Sequence, residues 1–171
     1  FTTTSPHLVS DDEFKRLVAI IRMAVPYTGM ILSTRETAQF RREVIELGFS
    51  QISAGSRTSP GGYTDRNPDE IDARQFELGD HRGLDEVMRD LCDHGFLPSF
   101  CTACYRSGRT GHEFMELAKP GHIQTFCLPN ALISFREYLL DYASPETRAA
   151  GEQVIAGHLA QIDTPALRAR T

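Results

Sequence analysis

"GMILSTRETAQFRREVIELGFSQIS", residues 29–53, decides the fold. Two short apolar runs, GMILS (29–33) and FSQIS (49–53), flank a stretch in which Phe40, Val44 and Leu47 recur at helical spacing. Short apolar runs bounded by turn residues read as buried strands, and the 3.6-residue period between them reads as a helix. Gly48 stands where a left-handed residue ends that helix. Parallel strands need a crossover of this length, so strand, helix and strand together predict a βα unit with a parallel pair.

The alternation extends on both sides. Ser10-Asp11-Asp12-Glu13 is a capping box, in which Ser10 accepts from the amide three residues on and Glu13 reaches back. It opens a helix over 11–25 with Phe14, Leu17, Val18, Ile21 and Val25 as its apolar face, ended near Pro26. Further along, LDEVMRDLCDHG (84–95) predicts a helix with Leu84, Val87, Met88 and Leu91 inward and Gly95 as its stop. FLPSF (96–100) reads as a third strand or an extended segment, and Pro98 confines it to an edge. Three strands cannot close a barrel. The expected fold class is therefore α/β, a partial barrel or small sheet over 1–100. The polar stretch 54–82 is long for a loop in a compact domain, and loops of that length are commonly functional.

Beyond residue 101 the pattern becomes helical. Thr110-Gly111-His112-Glu113 is a second capping box, for a helix stopping at Pro120. Asn130 is placed to cap ALISFREYLLDYA, whose Leu132, Phe135, Leu139 and Tyr142 share a face. Ser144-Pro145 opens a last helix with proline at its favoured first position, and the tail after about 163 is expected to fray. No internal repeat is present.

Composition sets outer limits. The 171 residues are 40% hydrophobic and 24% charged, with a net charge of −5, enough for one sizeable core. An acidic chain of this kind is not suited to tracking a phosphate backbone, so nucleic acid is not expected as a partner. No apolar run reaches the roughly 18 residues of a membrane helix. FTTTSPHLVS at the start lacks the charged-then-apolar order of a secretion signal, so a cytoplasmic location is expected. The chain begins with Phe1 and not Met, and is expected to be a piece of a longer protein.

All four cysteines, Cys92, Cys101, Cys104 and Cys127, lie within 92–127. Without a secretion signal, such a cluster reads as metal or redox chemistry, not as a disulfide scaffold. Cys101 and Cys104 form a CxxC, and Cys127 follows after 22 residues. Three thiolates near one point can hold an iron–sulfur cluster or contribute to a zinc site. Arg106 and Arg109 stand where positive charge would favour thiolates and offset cluster charge. Cys92 has two readings. As a fourth ligand it would close a four-cysteine site; on the same helix face as Leu84 and Met88 it would be a small buried hydrophobe. Three cysteines on a four-iron cluster leave one iron open to a substrate or an amino acid. A closed site could only carry electrons or brace the fold.

A second constellation follows the two strands: Ser33-Thr34-Arg35, and Ser53-Ala54-Gly55-Ser56-Arg57-Thr58. Ligands in βα folds bind at the carboxyl ends of strands. An arginine fork there can clamp a carboxylate, with Ser33, Ser53, Ser56 and Arg57 in support. The plainer reading is a solvated arginine, or Arg35 paired with Glu36 or Asp65. The six histidines, His7, His81, His94, His112, His122 and His158, are scattered and read as surface or capping residues. His112 and His122 flank the helix after the CxxC and are the two placed to approach a metal.

Four segments resemble one family closely: KRLVAIIRMAVPYTGMILSTRE (15–36), SQISAGSRTSPGGY (50–63), PSFCTACYRSGRTGHEFMELAKPG (98–121) and FCLPNALISFREYLLDYAS (126–144). They look like the C-terminal part of the radical S-adenosylmethionine tyrosine lyases, in the branch that matures FeFe hydrogenase. The thiamine-pathway tyrosine lyase is the nearest cousin. The CxxC-x22-C spacing within CTACYR and GRTG is the mark of the hydrogenase branch. The resemblance implies late βα units of a radical-enzyme (βα)8 barrel over 1–100 and a helical auxiliary-cluster extension over 101–171. It implies that Cys101, Cys104 and Cys127 are the metal ligands of an auxiliary 4Fe–4S cluster carrying an additional labile iron and cysteine. It implies roles for Ser33, Arg35, Ser53, Ser56 and Arg57 in holding tyrosine and S-adenosylmethionine. Family members split tyrosine into p-cresol and a dehydroglycine fragment, which yields carbon monoxide and cyanide at the auxiliary cluster. The expected partners are tyrosine, the rest of the barrel and other hydrogenase maturation proteins.

One family element is missing. The CxxxCxxC motif that holds the radical cluster does not occur in these residues, so this chain alone is not expected to start the reaction. S-adenosylmethionine and the second 4Fe–4S cluster belong to the full-length enzyme. Two other functions are compatible with the residues: a non-enzymatic four-cysteine zinc or electron-transfer scaffold, and a stand-alone partner that binds a tyrosine-like amino acid through Arg35.

Overall fold

The computed structural model describes residues 7–64, 76–101 and 111–162. Its elements in chain order are α1 (Asp11–Ala24), β1 (Ile31–Leu32), α2 (Ala38–Glu46), β2 (Gln51–Ile52), α3 (Leu84–Asp93), α4 (His112–Ala118), α5 (Gln124–Asp141) and α6 (Pro145–Ala160). The chain divides into two compact units, Phe1–Arg82 and Gly83–Thr171.

The first unit is built on the expected βα unit. β1 and β2 pair in parallel, Ile31 opposite Gln51 and Leu32 opposite Ile52. The strands are shorter than the apolar runs, because only two residues of each enter the ladder. α2 crosses between them, capped by the Thr37 hydroxyl, which accepts from the Phe40 amide at 3.3 Å. Gly48 follows its C-cap at φ 119°, as the sequence predicts. Leu32, Phe40 and Val44 form a small core, joined by Phe14, Phe49 and Ile52. Phe14 sits 5.6 Å from the Phe40 ring and 6.3 Å from the Phe49 ring.

α1 carries the capping box as read: the Ser10 amide donates to Glu13 at 2.9 Å and Ser10 Oγ accepts from the Glu13 amide at 3.3 Å. Its apolar face is narrower than expected. Val18 is buried and Phe14 half-buried, whereas Leu17, Ile21 and Val25 are exposed. One other helix and two short strands cover only one stripe of α1. Ile31 is likewise exposed, so β1 is covered on one face only, not on two as a fully buried strand would be.

The second unit packs α3 and α5 against α6. α3 falls in this unit through its packing on α6. Its buried side chains are Val87, Met88 and Cys92. Leu84, at the first helical position, is exposed, contrary to expectation. Asp85 fixes the contact with α6: its carboxylate accepts from the Ser144 amide at 3.1 Å, Ser144 Oγ at 2.7 Å and Thr147 Oγ1 at 2.8 Å. Burial pushes the Asp85 carboxyl upward, but these hydrogen bonds outweigh it and hold the group below its ordinary value. Ser144 caps α6 and Pro145 takes its first position, as expected.

Several details differ from expectation. Of the two readings of 96–100, the strand does not form: the Phe96 amide donates to the Leu91 carbonyl at 2.9 Å as part of the α3 terminus, and the segment runs on without a ladder. α5 begins at Gln124, not after Asn130, and runs through Pro129. Proline there costs one helical hydrogen bond to the Thr125 carbonyl. On α5 the buried face is Leu132, Phe135, Tyr138 and Leu139, while Tyr142 at the C-cap is exposed. The N-cap of α4 is Gly111, with no side-chain cap; Thr110 lies outside the described residues. The tail after 163 also lies outside them.

Candidate functional site

The parallel register brings the carboxyl ends of β1 and β2 side by side. The Ser53 amide donates to the Leu32 carbonyl at 3.0 Å, so the segments 33–35 and 53–57 leave the sheet together. Ser33 is exposed, and its hydroxyl accepts from the Arg35 amide at 3.3 Å in a tight local turn. Thr34 is buried and Arg35 is exposed. The Arg35 guanidinium carbon lies 4.2 Å from the centre of the Phe76 ring. Ser53 and Ser56 are half-buried and Arg57 is exposed. The Arg57 amide donates to the Tyr63 hydroxyl at 3.1 Å, which closes the loop after β2. Asp65, the alternative partner for Arg35, lies outside the described residues.

Beneath these loops is a cluster the sequence reading did not single out. Arg41 of α2 is 2% exposed and pairs with Asp80, which is also 2% exposed. A second Arg41 nitrogen donates to the Ser53 carbonyl. Arg82 adds two bonds to the same carboxylate, Nε at 2.9 Å and Nη2 at 2.8 Å, and its amide a third at 3.1 Å. Burial alone would raise the Asp80 carboxyl, but the Arg82 hydrogen bonds and the charges of Arg41 and Arg82 win and bring it down to about 2. One signal was available. Arg41 falls between Phe40 and Val44 on the inward face of its helix, where an arginine needs a buried partner.

The thiols lie in the second unit. Cys101 and Cys127 are both exposed. The Cys101 amide donates to Ser99 Oγ at 3.2 Å, and Cys127 sits in the first turn of α5. Cys104, Arg106 and Arg109 lie outside the described residues. Cys92 is buried on the inner face of α3, and burial, aided by the charge of Asp93, pushes its thiol up to about 12. A thiol so placed is protonated at neutral pH and packs as a small hydrophobe. The His94 ring approaches the Asp90 carbonyl at 2.7 Å, and His112 lies 3.9 Å from Glu116, so both engage their own helices.

Residues 2–97 match the model of the Biotin and Thiamin Synthesis associated domain, more than half of the chain. The chain belongs to that family. Among curated relatives, the 2-iminoacetate synthases of Escherichia coli (strain K12) and Salmonella typhimurium (strain LT2) are each 33% identical over 91 residues. That is 53% of this chain and 23% of theirs. Among solved structures, HydG, described as a maturase of the FeFe-hydrogenase, is 55% identical, with a TM-score of 0.86 over 96% of this chain and 35% of that one. The resemblance read from the four segments is therefore borne out, while the chain spans only about a third of HydG. The family match ends before Cys101; the likeness to HydG takes in most of the cysteine-bearing region as well.

Proposed function

We propose that this chain is part of a radical S-adenosylmethionine tyrosine lyase that makes carbon monoxide and cyanide from tyrosine for FeFe-hydrogenase maturation. The observation that carries the reading is the 55% identity to HydG over 96% of the chain. In this reading residues 1–100 supply late βα units of the barrel and residues 101–171 the auxiliary-cluster extension. The parallel β1–β2 pair with its α2 crossover is what late barrel units require.

The chain's own residues then have distinct tasks. Arg35 binds the tyrosine carboxylate through its fork of N–H donors. Ser33, Ser53, Ser56 and Arg57 line the same strand ends and hold tyrosine and S-adenosylmethionine. Cys101, Cys104 and Cys127 hold the auxiliary 4Fe–4S cluster, and Arg106 and Arg109 offset the charge of the thiolates. The donor chemistry fits: soft thiolates select such clusters, and the two described cysteines are exposed. When bound, the cluster would supply iron with a coordination position open to a small ligand, alongside the labile iron and cysteine. The buried Cys92 is left out of the ligand set. Among the described residues no helix is long and apolar enough to cross a membrane, and we place the enzyme in the cytoplasm.

The test is product analysis with the full-length protein that carries these residues, given S-adenosylmethionine, a reductant and tyrosine under anaerobic conditions. p-Cresol, carbon monoxide and cyanide are all expected. p-Cresol without carbon monoxide and cyanide contradicts the maturase reading, and absence of p-cresol contradicts the lyase itself.

A further inference from the structure

The segment 76–82 lies in a polar stretch without periodicity, yet it touches both candidate ligand loops. The amides of Gly79 and Asp80 each donate to the Thr34 carbonyl at 3.0 Å, directly after β1. The Gly55 amide donates to the Arg82 carbonyl at 3.1 Å, and Thr58 Oγ1 donates to the Phe76 carbonyl at 3.0 Å, both after β2. Asp80 anchors the segment to Arg41, which in turn holds the Ser53 carbonyl. The approach at Gly79 is close: a Cβ there would stand 2.5 Å from the Arg35 carbonyl oxygen and 2.8 Å from the Thr37 nitrogen, both backbone atoms.

Phe76 acts on the Arg35 side chain itself. A guanidinium over an aromatic ring is held by its face. A ring face can engage only part of the five N–H donors, so donors remain to grip a carboxylate. An unsupported arginine must give up most of its rotamer freedom when it binds; one held over a ring has given up part of it already.

We propose that Phe76–Arg82 is a positioning strut for the amino-acid carboxylate subsite, in which Phe76 holds the Arg35 guanidinium in place and Gly79–Asp80 fix the backbone that carries it. The inference rests on the role of Arg35 given above. Phe76 is a positioning residue: it acts through Arg35 and touches no reacting atom.

The experiment uses the full-length reconstituted enzyme with tyrosine as the varied substrate. Phe76→Ala raises KM for tyrosine about two- to fivefold, the worth of an exposed cation–π contact, and leaves kcat within about twofold. Phe76→Tyr restores the KM, because the ring face is kept; Phe76→Leu does not, because only bulk is kept. Phe76 is 36% exposed, so these variants are expected to fold. An unchanged KM in Phe76→Ala, alongside a rise of tenfold or more in Arg35→Ala, overturns the strut and leaves the substrate site standing. Rescue by Phe76→Leu equal to that by Phe76→Tyr also overturns it. An unchanged KM in Arg35→Ala overturns the carboxylate reading itself.

Discussion

Replacing Cys104 with Ser removes the iron and the broad visible absorption from the anaerobically reconstituted chain, whereas Cys92→Ala leaves both in place. The two cysteines differ in what metal binding demands of them. A ligand thiol must give up its proton, and its affinity falls with the cost of doing so. Cys92 is 5% exposed, and its thiol is pushed up to about 12, first by burial and then by Asp93. Recruiting it would mean turning an inner-face residue of α3 out of the contact with α6. Cys101 and Cys127 are already at the surface. A CxxC places Cys104 one turn or loop from Cys101, the spacing at which two thiolates reach one centre. Equal loss of metal in both variants would mean a closed four-cysteine site, and with it a scaffold in place of an open iron.

Asp80→Asn lowers stability by about 3–5 kcal/mol, because it strands the buried Arg41 guanidinium and keeps the shape of the carboxylate without its charge. The same carboxylate gives the protein a defined acid response. Its value falls from 3.8 in the unfolded chain to about 2 in the folded one. A depressed value stabilises the fold at pH above the unfolded value and ceases to do so as pH falls through the folded one. The contribution, on the order of 2 kcal/mol at neutral pH, is lost between about pH 4 and pH 2. Urea denaturation at a series of pH values checks both effects. The wild type weakens through that window more steeply than Asp80→Asn. A variant within about 0.5 kcal/mol of wild type at pH 7 would show that Arg41 and Asp80 are not a buried pair.

What the sequence made legible was local. The Ser10–Glu13 box, the Gly48 stop and the Ser144-Pro145 start each depend on residues within one turn, and each is where it was read. The βα unit followed from apolar runs around a helical period. Burial on the strands and on α1 was not legible, because it depends on how many neighbours are present to cover Ile31 or Leu17. Asn130 was read as the cap of the next helix, yet α5 starts at Gln124 and runs through Pro129 at the cost of a single hydrogen bond. The phase of that helix was right at Leu132, Phe135 and Leu139; it missed Tyr138, buried beside Leu139, and failed at the exposed C-cap Tyr142.

The candidate site divides in the same way. Arg35 was singled out because an arginine just past a strand is a recognisable ligand position, and its role there is a proposal. The segment that supports it was not, since Phe76, Gly79 and Asp80 are tied to Arg35, Thr34 and Arg41 by contacts across the chain and not by any period within it. The cysteine triad was suggested by spacing, and the choice of an iron–sulfur cluster over zinc came from the resemblance.

That choice is open to one direct measurement: iron, sulfide and zinc counted per chain after anaerobic reconstitution of this chain, with the visible spectrum recorded on the same sample. About four irons with matching sulfide and a broad charge-transfer absorption are expected of a thiolate-bound cluster. One zinc per chain with no visible band would contradict it.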